Sequence, residues 1–276
     1  MKLKALLRHQ MLPLGLAFAL ILVEAFLTLL FPLFIGRALD GAVQGVYLGV
    51  LQLSLLGFAT VIIGLCRRFF DSRLYSKIYQ KIGPKLVQSL DGQDTSIKSA
   101  RLGMLKELVE FLEFSLPELI HAIISLFGVI LIIAQLDLNI FLGALLCTAL
   151  ILMIYWISSS KTLSFNKAAN DEQEKQVAVV SKNAGPELKS HLRKMMKWNI
   201  KLSDLEAVNF SLAWFILMIF LVASIIISVQ NPLVKYGALL SLIIYVFQYM
   251  ESVINLPFFY QSWLRLKEIT HRLFLG

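Results

Sequence analysis

Long apolar runs alternate along this chain with charged segments. Residues 41–66 and 140–160 contain no charged residue. Four further runs contain at most one ionisable side chain. The six runs cover residues 11–36, 41–66, 119–136, 140–160, 205–230 and 236–250. Because a bilayer core of about 30 Å needs roughly 20 helical residues, the pattern predicts an all-α integral membrane protein with six transmembrane helices.

The composition supports a membrane protein. Hydrophobic residues make up 58% of the 276 residues and charged residues 16%, whereas charged residues form about a quarter of a typical soluble domain. We expect residues 1–276 to form a single six-helix domain. Cys66 and Cys147 lie within or beside predicted spans, and we expect neither a disulfide framework nor a metal site.

The basic residues predict an orientation in the membrane. Of the 26 Lys and Arg residues, 24 fall in four segments: the N-terminus, residues 67–118, residues 161–204 and the C-terminus. The remaining two are Arg37 and Lys235. Because basic loops stay in the cytoplasm, we expect both termini and both long loops to be cytoplasmic, in a bacterial inner (plasma) membrane. This bias accounts for the net charge of +8, so we expect no nucleic-acid partner.

The two long inner loops have helical periodicity. In the first loop, apolar residues form one stripe on the descending limb and another on the returning limb. The stripes are Phe70, Leu74, Ile78, Ile82, Leu86 and Leu90, then Leu102, Leu105, Leu108, Val109 and Leu112. A turn at residues 91–96 separates them, with Thr95 or Ser96 as the helix N-cap. The second loop turns at residues 183–186 and places Pro186 at the first position of a new helix. The sequence therefore predicts two long cytoplasmic helical hairpins.

Two ionisable residues in the predicted spans are candidates for proton coupling. Glu24 lies near the middle of the first span, and His121 lies at the inner end of the third. Charged groups in a bilayer are costly and often mark an ion or proton pathway. The alternative for each is a structural residue that hydrogen-bonds a neighbouring helix.

The sixth span has a polar stripe at steps of three and four residues. Such steps keep side chains on one helix face. The stripe consists of Ser241, Tyr245, Gln248, Glu251, Ser252 and Asn255. Because polar groups facing lipid are costly, we expect the stripe to line a cavity, with helix joining as the alternative. Glu251 is a third candidate for proton coupling.

The layout resembles the transmembrane domain of ABC exporters (the type IV exporter fold). Residues 31–40, FPLFIGRALD, are similar to the proline, Ile-Gly and aspartate stretch that closes the first span of such exporters. Arg67, Arg68 and Arg73 below the second span also resemble the family. The resemblance covers nearly the whole chain by layout. It implies that the sixth helix lines the translocation cavity, and that the chain works as a homodimer or pairs with a related half-transporter.

The resemblance also implies short coupling helices at the two hairpin tips, where an ATPase subunit docks. By position the tips are Asp91, Asp94, Thr95 and Ser96 in the first hairpin, and Asn183 and Gly185 in the second. The 276 residues contain neither a G-x-x-x-x-G-K-[ST] phosphate loop nor the LSGGQ signature. We therefore expect no ATPase activity and no cofactor bound by this chain, with ATP acting only through a separate ABC ATPase subunit.

Three hypotheses for function follow. The first is an exporter-like transmembrane subunit that moves a peptide or amphipathic molecule by alternating access. The second resembles the SbmA-like peptide importers, which have an exporter-type dimer and run on the proton gradient. The third is a membrane immunity or sensor partner that does not transport.

Overall fold

The predicted helices are present in a computed structural model, which describes residues 11–92, 94–181, 185–230 and 235–256. The helices are α1 (Met11–Val43), α2 (Leu48–Ser89), α3 (Thr95–Glu110), α4 (Leu116–Leu136), α5 (Leu138–Glu174), α6 (Gln176–Ser181), α7 (Gly185–Val229) and α8 (Tyr236–Ile254). A π-helical turn, Phe111–Ser115, connects α3 to α4. In the described residues six helical stretches are long and apolar enough to cross a bilayer, which confirms the all-α membrane class.

The chain divides into two compact units. One comprises Met1–Leu138 with Ser228–Gly276, and its described helices are α1 to α4 and α8. The other is Asn139–Ile227, which includes α5, α6 and α7.

The first hairpin, in the first unit, packs along its predicted stripes. Leu74, Ile78, Ile82 and Leu86 of α2 form a buried cluster with residues of α3. Those residues are Leu105, Leu108 and Val109. Helix α2 continues without a break through Pro84 to Ser89, so a single helix extends from the span to the hairpin tip.

Helix α1 packs closely against α8 and against α4 at glycine residues. A Cβ atom added to Gly36 of α1 would lie 2.2 Å from the carbonyl oxygen of Gly237, and one added to Gly128 of α4 would lie 2.3 Å from a methyl group of Leu29. Small residues permit this approach, which is the usual basis of helix packing within membranes.

In the second unit α5 and α7 form an antiparallel pair. The ring of Phe220 is 3.0 Å from the position that a Cβ atom on Gly143 would occupy. Ser158 donates to Asn209 over 2.8 Å, and the rings of Phe165 and Trp198 are 6.0 Å apart. In these pairs the residue numbers increase along α5 while they decrease along α7, so the two helices run antiparallel.

Two helix starts differ from the sequence prediction by one residue. Asp94, rather than Thr95 or Ser96, is the N-cap residue of α3, because Thr95 already begins the helix. Helix α7 begins at Gly185, which places Pro186 at the second helical position. Pro is tolerated in the first turn because the N–H groups there lack partners within the helix.

Candidate functional site

A buried cluster of charged side chains joins α1, α2 and α4. The Nε atom of Arg67 donates a hydrogen bond to Glu24, and its Nη1 atom donates to Asp71 over 3.0 Å. The side chains of Arg67 and Asp71 are only 9% and 3% exposed. Nε2 of His121 lies 3.7 Å from the Glu24 oxygen that Arg67 contacts. We call these four residues the ion cluster. Pairing within it avoids the large cost of a buried, uncompensated charge.

The ion cluster lies level with the end of the uncharged run of α2. Glu24 is level with Gly64 and Arg67, where the uncharged run of α2 ends. Helix α1 continues from Glu24 to Val43, which is about 28 Å at 1.5 Å per residue and close to one bilayer core. Glu24 is therefore level with the end of the uncharged run of α2, although it lies near the middle of the apolar run of α1.

A pocket of about 240 Å³ adjoins the ion cluster. It lies between α1, α4 and α8, and all its lining residues belong to the first unit. Its polar lining consists of Thr28, His121, Ser125, Gln248, Glu251, Ser252 and Asn255. We call it the polar pocket. The last four residues of the predicted stripe on the sixth span line it, and one of them, Glu251, is a proposed proton-coupling residue, as is His121.

The outer two residues of the stripe lie away from the polar pocket and join α8 to α1. The Ser241 hydroxyl donates to the carbonyl oxygen of Pro32 over 2.7 Å. The Tyr245 hydroxyl donates to the carbonyl oxygen of Leu29 over 3.0 Å. Both side chains are buried. These contacts correspond to the helix-joining alternative for Ser241 and Tyr245, and a substrate contact for them stays a prediction.

The aspartate of the exporter-like stretch binds the start of α8. Asp40 accepts a hydrogen bond from the N–H of Gly237 over 2.8 Å. Gly237 is the second residue of α8, whose N–H has no acceptor within the helix. A carboxylate here also interacts favourably with the helix dipole. The stretch therefore contributes both the small residue and the capping group at this helix contact.

The first hairpin tip is a short turn. Helix α2 ends at Ser89, Gly92 has a positive φ of 89°, and α3 begins at Thr95. The side chains of Asp91, Asp94 and Thr95 are exposed. For Ser96 only its backbone in α3 is described.

The second hairpin tip contains the short helix α6. Helix α5 ends at Glu174, and α6 follows one residue later as a six-residue segment. Gly185 is exposed at the start of α7, while Asn183 lies outside the described residues. Above this tip, Nδ1 of the buried His191 is 3.0 Å from Glu172, which links α7 to α5.

Asp71 was not predicted as a partner of Arg67. A signal was available, because Arg67 and Asp71 are four residues apart, immediately after an uncharged run. The contact between Glu24 and Arg67 spans 43 positions and has no local signal.

The chain belongs to the ABC transporter transmembrane region family. The family's sequence profile matches residues 3–237, which is most of the chain. A search of curated proteins found no match. Together with the six membrane-length helices, the family match identifies an integral membrane transport subunit.

Proposed function

We propose that this chain is the membrane half of an ATP-driven transporter, moving a peptide or amphipathic molecule by alternating access. The observation that carries the proposal is the family match over a six-helix chain whose long helices extend into two hairpins. A separate ATPase subunit docks on the hairpin tips and supplies the energy. The short helix α6 supports this role for the second tip, since coupling helices are expected there.

The working form is a dimer of this chain or of the chain with a related half-transporter. The second unit consists mainly of two long helices, which cover little of each other's apolar surface. Phe215 and Ile226 of α7 and Ile157 of α5 are exposed. Lipid and a second subunit cover such side chains. A mass measurement of the solubilised protein tests the homodimer, and a single 31.2 kDa chain at all concentrations contradicts that form.

Both hairpins face the cytoplasm of a bacterial inner membrane. The support is the distribution of Lys and Arg, of which 24 of 26 fall in the termini and the two hairpin segments. Accessibility of single cysteines at Asp94 and Tyr47 to an impermeant thiol reagent in intact cells tests this orientation. Labelling at Asp94 instead of Tyr47 contradicts it.

Docking of the ATPase is tested by charge reversal at a hairpin tip. The tagged chain is purified from its native cells, and the ATPase that accompanies it is used for binding. Asp94→Lys changes an exposed tip residue, and we expect it to weaken binding about tenfold or more, because a like-charge contact at an interface costs more than about 1.4 kcal/mol.

Asp204→Lys is the matched control for Asp94→Lys. Asp204 is exposed on α7 and lies about 28 Å along that helix from Gly185. We expect Asp204→Lys to bind the ATPase like the unaltered chain. Failure of any ATPase to accompany the chain, or equal binding by both variants, contradicts docking at the first tip.

Proton coupling is the second candidate function. It is favoured by the position of His121, which lines the polar pocket and lies 3.7 Å from Glu24. In this mechanism Glu24, Glu251 and His121 exchange protons as the pocket opens to either side. Transport driven by a pH step without ATP, and lost in Glu24→Gln, supports it. If neither energy source moves a substrate, a non-transporting immunity or sensor role gains support.

A further inference from the structure

The polar pocket presents more hydrogen-bond acceptors than its composition suggests. The Thr28 hydroxyl donates to the backbone carbonyl of Glu24 over 2.9 Å, and the Ser252 hydroxyl donates to that of Gln248 over 2.8 Å. Each hydroxyl has one proton, so both side chains have only lone pairs left for a ligand. The buried Oε1 atom of Gln248 has no hydrogen-bond partner within the described residues. An unpaired buried acceptor is costly, and a donor on a ligand would satisfy it.

The charge around the polar pocket is negative. Glu251 lines the pocket, and no Lys or Arg is among its described lining residues. The nearby Arg67 is shared between Glu24 and Asp71, so its positive charge is already balanced. Two carboxyl groups thus flank this one guanidinium, and His121 lies at the boundary between the ion cluster and the pocket. Such surroundings favour a cationic ligand.

The size and remaining lining of the pocket fit a small organic group. A volume of about 240 Å³ is below the range of about 300 to 1,000 Å³ that is usual for drug-sized ligands, but it is far larger than a bare ion needs. Ala25, Leu29 and Ala122 provide an apolar wall. Among the described residues no group of three His, Cys, Asp or Glu side chains is arranged to hold a metal ion.

We propose that the polar pocket binds a protonated primary amine on a short aliphatic stem, with Glu251 as the counter-ion and Gln248 Oε1 as a hydrogen-bond acceptor. The stem lies against Ala25, Leu29 and Ala122. The proposal rests on the transport function above and adds one chemical group of the substrate to it.

The probe for this site is dansylcadaverine, a primary amine on a five-carbon stem joined to a fluorescent ring. Its fluorescence anisotropy is measured with the solubilised full chain at pH 7, against empty micelles and against the N-acetylated dye, which is neutral. We expect the amine to bind at least tenfold more tightly than the acetylated dye, since a hydrogen bond to a charged group contributes more than about 1.5 kcal/mol.

Two variants assign the binding to the pocket. Glu251→Gln keeps the shape and removes the charge, and we expect it to raise the Kd of the amine about tenfold without changing that of the acetylated dye. Gln248→Leu removes the acceptor, and we expect a smaller rise, of about threefold to tenfold. Glu118→Gln is the matched control, because Glu118 is exposed at the start of α4 and does not line the pocket. We expect its Kd to stay within twofold.

Equal affinity for the amine and the acetylated dye overturns the proposal, and so does an equal response to Glu251→Gln and Glu118→Gln. The same holds if millimolar Mg²⁺ displaces the amine from the unaltered chain, because the site would then be a general cation site. The binding assay uses neither ATP nor a pH gradient. Amine binding can therefore be measured even if transport fails. Absence of amine binding would overturn this proposal but would not contradict transport of other substrates.

Discussion

At the residue scale, the guanidinium of Arg67 lies between the carboxylates of Glu24 and Asp71, where the uncharged run of α2 ends. The contact with Glu24 joins α1 to α2, whereas Asp71 lies on α2 itself, four residues after Arg67. Removing one member of a buried ion pair leaves the others uncompensated, which costs more than the pair contributes when intact. The ion cluster therefore fixes α1 against α2 beside the polar pocket.

Replacing Arg67 tests this role. Arg67→Met leaves Glu24 and Asp71 buried without a cation, and we expect it to destabilise the chain by about 3 to 5 kcal/mol. The measurement is thermal unfolding of the solubilised protein. Arg68→Met is the control, because Arg68 is exposed, and we expect a change below about 1 kcal/mol. Combining Arg67→Met with Glu24→Gln and Asp71→Asn should recover part of the loss. Equal unfolding temperatures for the Arg67 and Arg68 variants would argue against a structural ion cluster.

Only part of the site was predictable from residues taken singly. Glu24 and His121 stood out because ionisable groups are rare in apolar runs, and Glu251 stood out as part of the polar stripe on the sixth span. Their arrangement was not predictable, because partners such as Glu24 and Arg67 are set by helix packing rather than by spacing along one helix. Ser241 and Tyr245 share a helix face with Gln248, but at their end of α8 this face packs directly against α1.

At the element scale, the crossing of α1 and α8 depends on two glycines. A Cβ atom on Gly237 would lie 1.9 Å from the carbonyl oxygen of Gly36 and 2.7 Å from the Asp40 carboxylate. Backbone atoms cannot move aside as a flexible side chain does. The helices must therefore separate if a side chain is added, and the Ser241 and Tyr245 hydrogen bonds would lengthen with them.

Gly237→Ala tests the crossing. We expect a loss of about 1 to 3 kcal/mol of stability, as for overpacking in a core, together with weaker amine binding because the pocket lies between the same helices. Gly15→Ala is the control in α1. No atom lies within 4 Å of its added Cβ, and Ala in a helix interior is more favourable than Gly by about 0.5 to 1 kcal/mol. If Gly237→Ala is as stable as Gly15→Ala, the helices do not depend on this contact.

The elements were the most predictable part of the fold. The stripes of the first hairpin became its buried core because a helix period of 3.6 residues leaves few alternatives. Helix ends were less certain, as at Thr95 and Gly185, since caps shift by one residue at little cost. The π-helical turn at Phe111–Ser115 has no signal in the apolar spacing.

At the scale of the whole molecule, the transport class rests on the family match and the six spans. The hairpins place exposed tip residues far from the apolar layer, which suits docking of a soluble subunit. The polar pocket and the ion cluster lie in one unit and share His121, so a movement of α4 against α1 would change both.

The central claim is that ATP hydrolysis by a partner drives this chain. The most direct measurement is accumulation of dansylcadaverine in proteoliposomes that contain the chain and the ATPase purified with it. We expect accumulation with ATP, none with a non-hydrolysable analogue, and loss in the Asp94→Lys variant while Asp204→Lys transports normally. Accumulation driven by a pH step without ATP, and abolished by Glu24→Gln, would contradict the claim and assign the chain to proton-coupled transport.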